Sequence, residues 1–352
     1  MSAPHEHSGL LDSFADRIAA RPRVPAGRII LTVVSLVLVG LLLAGGLPWA
    51  TGATWATILA VLTALPGWAV PAVAALGIVA VLAEGLAVHA VAHGSRLVPA
   101  VAGQTAAGAL ALAIPGGAML GVGMLGWVLR RTGLGLRRVL AAVVTASVLE
   151  IAVSTVLLPL VGLAAYALAS LTGSDTQAPP GGLTAAILAA AGGILVCVLL
   201  VALTNRSLLR QVLDAASALT GRASLAADAL AIRDDAIALL RTRGAAGTAL
   251  VLLARVAQLA AFALALRAAG IELPALLVLA VFALGRAVAQ IPVTPGGAGL
   301  TETAVAAALV ALGSASAQSA AVALLMAVAT LIVPLLAGAL SVVVVVGGRR
   351  AE

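Results

Sequence analysis

The sequence predicts an all-α fold, a polytopic helical membrane protein built as two inverted halves, and three observations carry that prediction. Hydrophobic residues make up 62% of the 352 residues and charged residues only 9%, against about a quarter charged in a soluble domain. Apolar runs recur along the whole chain at the length of a spanning helix, about 20 residues. Two of the longer runs are interrupted by Pro-Gly-Gly, each at the third position of its half.

The elements follow in order. Residues 1–28 are mostly polar, with Arg17, Arg21, Arg23 and Arg28 just ahead of the first apolar run. That stretch is long for a cleaved signal, and further spans follow, so it reads as a cytoplasmic tail before a retained signal anchor. Apolar runs fall at 29–47, 69–92, 98–130, 139–170, 183–204, 247–268, 274–312 and 316–347. Six fit one crossing each. Run 98–130 is broken at Ile114-Pro115-Gly116-Gly117, and run 274–312 at Ile291-Pro292-Val293-Thr294-Pro295-Gly296-Gly297-Ala298-Gly299. Halves of roughly 13 to 18 residues suit re-entrant segments better than full spans. Ten spans is the alternative, each broken run then crossing twice.

The charge is +7, from twenty arginines and no lysine. With the N-terminus inside, Arg96, Arg130, Arg131, Arg137 and Arg138 flank the first broken run on the cytoplasmic side. Arg206, Arg210, Arg222, Arg233, Arg241 and Arg243 fall in the next inner loop, and Arg349 and Arg350 follow the last run. Only Arg255, Arg267 and Arg286 stand outside this pattern, which is what the positive-inside rule requires. The first broken run is then entered from inside and the second from outside, an inverted repeat of the kind transporters use to build midplane sites. The expected organisation is a tail 1–28, a first membrane repeat 29–170, an extracytoplasmic loop 171–182, a second repeat 183–347 and a C-terminal tail 348–352. The second repeat includes a cytoplasmic connector, 205–244. Both termini are expected in the cytoplasm of a bacterial cell, with the chain in its inner membrane.

Lesser signals agree. Trp49, Trp55 and Trp68 sit where an outer interface is expected, and Trp127 precedes the inner arginines. Residues 206–220 alternate apolar and polar positions at helical spacing, as a surface helix or a packed connector would. Gly117 and Gly121 give the small-residue spacing of close helix packing. The arginines lie in loops and not in a basic stripe with aromatics, so no nucleic-acid partner is expected. The single cysteine, Cys197, excludes an intrachain disulfide and a Cys-rich metal site.

Chemistry in such a chain falls to the few charges at membrane depth, Glu84, Glu150, Arg255, Arg286 and Glu302. Arg286 and Glu302 flank the second break, so folding its halves together is expected to bring them to one cavity. The start of the second half offers backbone N–H groups and a helix dipole to an anion, and an arginine fork beside it suits a phosphate. An internal Arg/Glu pair that only closes the hairpin is the structural alternative. Arg255 either joins the cavity or snorkels to the inner interface. Glu84 and Glu150 are acidic counterparts or proton relays from the first half. His89 and His93 have metal-compatible spacing but no third ligand, and Asp234-Asp235 reads as a solvated helix face, so neither metal nor cofactor is expected. No P-loop, nucleophile elbow or triad spacing occurs.

The run Pro295-Gly296-Gly297-Ala298-Gly299 followed by Glu302 resembles the late Pro-Gly-Gly-x-Gly-x-x-Glu element of the lysylphosphatidylglycerol synthase transmembrane-domain family. That family is also described as flippase-like integral membrane proteins, and it includes the membrane half of the multiple peptide resistance factor. Pro115-Gly116-Gly117 is similar to its earlier element, and the layout agrees over residues 28–347. Ala118-Met119-Leu120-Gly121 departs from it, with no acidic or basic residue where relatives often carry one. The resemblance implies handling of lipids, including movement of aminoacylated phosphatidylglycerol between leaflets. Bifunctional members add a soluble aminoacyl-transfer domain, whereas this sequence ends at Glu352, so synthase activity is not expected of it.

The expected function is therefore flippase-like transport of a phospholipid or lipid-linked headgroup through a midplane cavity. The residues expected to bind it are Arg286, Pro295, Gly296, Gly297, Gly299, Glu302, Arg255, Glu150, Glu84, Pro115, Gly116 and Gly117. Two other classes remain open: an intramembrane enzyme acting on a lipid-linked substrate, and a membrane subunit anchoring a separate synthase through 205–244. The candidate partners are the lipid, a separate lipid-modifying enzyme and a second copy of the chain.

Overall fold

The computed structural model describes residues 34, 37–114, 117–172, 181–204, 224–291 and 293–347, with side chains left out at 196–229 and 344–347. The tail 1–28, Pro115, Gly116, the surface helix expected at 206–220 and the Cys197 side chain lie outside what it describes. No strand occurs among the described residues.

The elements are α1 (Val37–Thr51), α2 (Trp55–Ala64), α3 (Ala69–Val91), α4 (Leu97–Ala113), α5 (Gly117–Arg131) and α6 (Leu136–Thr172). The second half supplies α7 (Gly182–Thr204), α8 (Ser224–Ala268), α9 (Ala275–Val288) and α10 (Leu300–Ala311). The last, α11, runs as Ser316–Ala327, Val328–Ile332 and Val333–Gly347. Among the described residues four helices are long and apolar enough to cross a membrane: α3, α6, α8 and α11. The bent pair α1 and α2 makes a fifth if it is one span. Helix α7 has 23 residues.

A further helix follows the first apolar run at a sharp bend. Gly52 (φ 71°) ends α1, Thr54 accepts the Thr57 N–H to start α2, and the two helices meet at 92°. Within α1 a π turn at Leu42–Gly46 leaves a carbonyl free, and the Trp55 indole N–H donates to Ala44 O at 2.8 Å. The connector also differs from expectation: from Ser224 onward it is the first part of α8, a continuous helix of 45 residues.

Both broken runs fold back on themselves. In the first, Gly117 lies against Leu110, Gly121 against Ala107, and Gly103 against Leu125 and Val128, a pairing that runs in opposite directions along α4 and α5. In the second, Gly297 meets Ala289, and Gly285 meets Thr301 and Val305. The arms have 17, 15, 14 and 12 residues, or roughly 18 to 26 Å at 1.5 Å per residue, against a hydrocarbon core of about 30 Å.

Helix directions set where these hairpins enter. Glu84 meets Arg255, Val91 approaches Gly247, and His93 meets Arg243, so α3 and α8 run antiparallel. Arg137 meets Asp235 and Leu149 approaches Gly247, so α6 runs parallel to α8. The α4–α5 hairpin therefore leaves and returns at one end of the bundle, where Leu134 shares one hydrophobic cluster with Val88 and Ala92. The α9–α10 hairpin grows from the opposite end, after α8.

The two halves match. The pairing of α3 with α8 is its own counterpart; α4 on α11 mirrors α9 on α6, and α3 on α11 mirrors α8 on α6. Both α6 and α11 contain π turns, at Ile151–Leu157 and Val328–Ile332. Gly162 of α6 touches Ala283 of α9 as Gly338 of α11 touches Ala109 of α4, each too close for a Cβ. The sequence carries the same correspondence. Pro-Gly-Gly-Ala recurs at a step of 180 residues, from Pro115 to Pro295, and the same step takes Gly133 to Gly313, both at φ 89°.

Candidate functional site

The antiparallel contact of α3 and α8 and the parallel contact of α6 and α8 bring three charged side chains to one level of the bundle. The Arg255 Nη2 donates to Glu84 Oε1 at 2.6 Å and to Glu150 Oε1 at 2.7 Å, and its Nη1 donates to Gln258 Oε1 at 2.7 Å. The alternative of a snorkelling Arg255 is excluded by these contacts. Its side chain is 5% exposed, whereas those of Glu84 and Glu150 are 26% and 40% exposed. The arginine is thus the deepest member of the group, and the carboxylates are its partly exposed members. Ionised hydrogen bonds of this length are among the stronger ones available, and a charge at this depth persists only when it is held so. Glu150 is the last residue before the α6 π turn, and Ser154 lies within that turn. Such turns are frequent at functional sites.

Arg286 of α9 is the fourth member. It is half-buried and lies within Coulombic reach of Arg255, Glu150 and Glu84. Its Nε is buried without a hydrogen-bond partner, and among the described residues no ion pair engages its guanidinium. Two arginines and two glutamates leave the tetrad formally neutral. An apolar cavity of about 150 Å³ adjoins it between α6, α8 and α9, lined by Val153, Leu157, Arg255, Leu259, Leu279 and Phe282. A larger one of about 420 Å³ lies along α6, α9 and α10, reaching Pro159, Tyr166, Leu284 and Ala308.

The second break lies at the tip of its hairpin, and its residues have local structural duties. Pro295–Gly297 form one 3-10 turn, with Gly296 at φ 58° and Gly299 at φ 82°, values an L side chain resists. Gly296 packs against Leu112, one turn before the first break, so the two broken segments do meet. Gly299 packs against Leu42 in the α1 π turn. Glu302 is placed otherwise than expected: it is 5% exposed, and its Oε2 accepts the Gly299 N–H at 2.6 Å. It therefore caps its own helix and makes no ion pair with Arg286 among the described residues. The helix start that an anion was expected to occupy is filled by this carboxylate, because a residue three positions into a helix reaches back to its cap. The Thr294 and Thr301 hydroxyls nearby are buried without partners.

The remaining candidates are engaged at the end of the bundle that gathers the arginines. His89 Nδ1 is 3.2 Å from Ser95 Oγ, and the Arg243 Nη2 is 3.3 Å from His93 Nδ1. Asp235 receives Arg137 through two hydrogen bonds of 2.6 and 2.9 Å, and Asp234 receives Arg233. No group of three or more potential metal ligands occurs among the described residues. Sequence reasoning missed Gln258, whose only signal is its spacing of three from Arg255 on one helix.

With this geometry established, comparison with known proteins adds one match. The family model described as the lysylphosphatidylglycerol synthase TM region covers residues 32–338. No curated protein matches the chain.

Proposed function

We propose, from the fact that the chain belongs to the lysylphosphatidylglycerol synthase transmembrane family, that this multi-pass membrane protein moves a lipid with an ionised headgroup between leaflets. The observation that carries the reading is Arg286, the member of this neutral tetrad whose buried Nε has no hydrogen-bond partner and whose guanidinium makes no ion pair among the described residues. Leaving a cation in that condition at membrane depth is costly unless something else completes it. A phosphate ester of a headgroup matches the arginine fork. An ammonium on the same headgroup would find Glu84 and Glu150, the partly exposed members. The cavities of about 150 and 420 Å³ are apolar and suit acyl chains. In this reading the hairpins are re-entrant, their tips meet near the midplane, and the arginine-rich end faces the cytoplasm.

The test is reconstitution into liposomes carrying fluorescent phosphatidylglycerol or its aminoacylated form, with leaflet exchange and headgroup turnover both measured. Exchange in the wild type, lost in Arg286→Ala without headgroup chemistry, is the expected result. Unchanged exchange in Arg286→Ala removes the site, and headgroup turnover would instead support a lipid-modifying enzyme.

A further inference from the structure

Glu84 and Glu150 are ordinarily read as counter-ions, yet their placement asks for more. Both carboxylates use Oε1 on the same nitrogen of Arg255, at 2.6 and 2.7 Å, and both side chains are partly exposed. One arginine between two carboxylates leaves one negative charge, which Arg286 balances across the group. That balance is lost when Arg286 engages an anion. An added phosphodiester gives the assembly a net charge of −1 in a region where uncompensated charge is expensive. The two partly exposed carboxylates are the groups able to restore it, by taking one proton between them.

The surroundings offer little else that titrates. The described part of α11, which packs on α3, carries no ionisable side chain, and neither does α4. On α8 the other charged residues with described side chains, Arg233, Asp234, Asp235, Arg241, Arg243 and Arg267, each lie 12 or more positions from Arg255. On α6, Arg137 is engaged by Asp235, and Arg138 neighbours it at the helix start. His89 of α3 and His93 just after it contact Ser95 and Arg243. Glu302 of α10 is spent on Gly299.

We infer that Glu84 and Glu150 together form a proton site linked to headgroup binding: one proton enters the pair when a phosphodiester without a cationic group docks at Arg286. The inference rests on the transport reading for the position of the lipid and adds what accompanies it. A headgroup that carries its own ammonium supplies the missing charge itself and takes up no proton. For an anionic lipid the two species move as a neutral unit, so a pH difference across the membrane becomes a driving force for lipid accumulation.

The experiment begins with purified protein in weakly buffered detergent containing a pH indicator. It is titrated with short-chain phosphatidylglycerol and, separately, with short-chain phosphatidylethanolamine, while binding is followed calorimetrically. About one proton taken up per bound phosphatidylglycerol, and close to none per phosphatidylethanolamine, is the linkage expected. In Glu84→Gln/Glu150→Gln the uptake per bound lipid falls to less than half, because each amide mimics a carboxylate that already holds its proton. Phosphatidylglycerol bound with no proton uptake overturns the inference and leaves the transport reading standing. No binding of either lipid overturns both. In liposomes with a gradient of one pH unit, the leaflet ratio of phosphatidylglycerol should shift by about tenfold at steady state. Exchange that settles at an even ratio whatever the gradient refutes the coupling.

Discussion

Arg255→Ala is the perturbation whose consequence follows most directly from the geometry. Glu84 and Glu150 share one Arg255 nitrogen, so without it two carboxylates would face each other at about 5 Å, a repulsion of about 3 kcal/mol at an effective dielectric constant near 20. Removing one partner from a buried ion pair costs roughly 3 to 5 kcal/mol in measured cases. The partial exposure of both carboxylates argues for the lower figure. A loss of about 3 kcal/mol corresponds to a fall in melting temperature of roughly 4 °C for a chain of this size. The assay is thermal unfolding of detergent-solubilised protein, for Arg255→Ala and for the triple variant Arg255→Ala/Glu84→Gln/Glu150→Gln. The triple variant should recover at least half of the loss, since it removes the charges left without a partner. A single variant within 2 °C of wild type, or a triple variant no better than the single, refutes the assignment of Arg255 as the charge that holds these helices together.

The hairpin tip gives further expectations. Glu302→Gln keeps an acceptor for the Gly299 N–H and should stay within about 1 kcal/mol of wild type, whereas Glu302→Ala should lose about 1 to 2 kcal/mol, both read by thermal unfolding. If Glu302→Gln retains stability but abolishes leaflet exchange, its charge acts on lipid and the capping account is incomplete. Gly296→Ala and Gly299→Ala should each destabilise by more than 1 kcal/mol, through positive φ and through contact with Leu112 and Leu42 respectively. Gly123→Ala, whose Cβ would meet nothing within 4 Å, should be neutral or slightly stabilising in the same melts. A cysteine at Met119, close to the first tip, should resist impermeant thiol reagents from both sides in a Cys197→Ala background. Labelling from the side opposite Gly94 would show that the α4–α5 hairpin crosses fully.

Much of the fold was legible because it rests on periodicity and punctuation. Pro-Gly-Gly marked both breaks, and the arginines marked one end of the bundle, since neither signal needs a distant partner. The helix α2 is hard to read although Thr54 stands as a cap before Trp55, because it falls between the apolar runs 29–47 and 69–92 and its own apolar stretch is short. The length of α8 was missed for the opposite reason. Its first part is polar, and polarity was read as the end of a helix, whereas here Asp235 takes its place by pairing with Arg137. Glu302 was assigned outward chemistry because an intramembrane carboxylate invites it. The local rule that a third-position glutamate returns to its cap was available and outweighs that invitation.

The charged tetrad could not have been read in either half alone. Glu84 and Glu150 come from the first half, Arg255 and Arg286 from the second, so each half considered alone contributes two like charges. Glu84 and Arg255 stand on α3 and α8, the two helices equivalent under the internal correspondence and packed directly together. Opposite charges therefore stand on equivalent helices, where the antiparallel contact brings the residues together across a separation of 171 positions. Sequence spacing carries no trace of such a pairing. What the sequence does show is a parity: charges at membrane depth sum to zero only when both halves and the three-residue group around Arg255 are counted with Arg286, and with Glu302 set aside as a cap. A site assembled in this way exists only while the halves are docked. Any movement that separates α3 from α8 would strand like charges on each side, so in the proposed transport cycle the exchange between inward and outward states should keep this contact and be carried by the hairpins that pack around it.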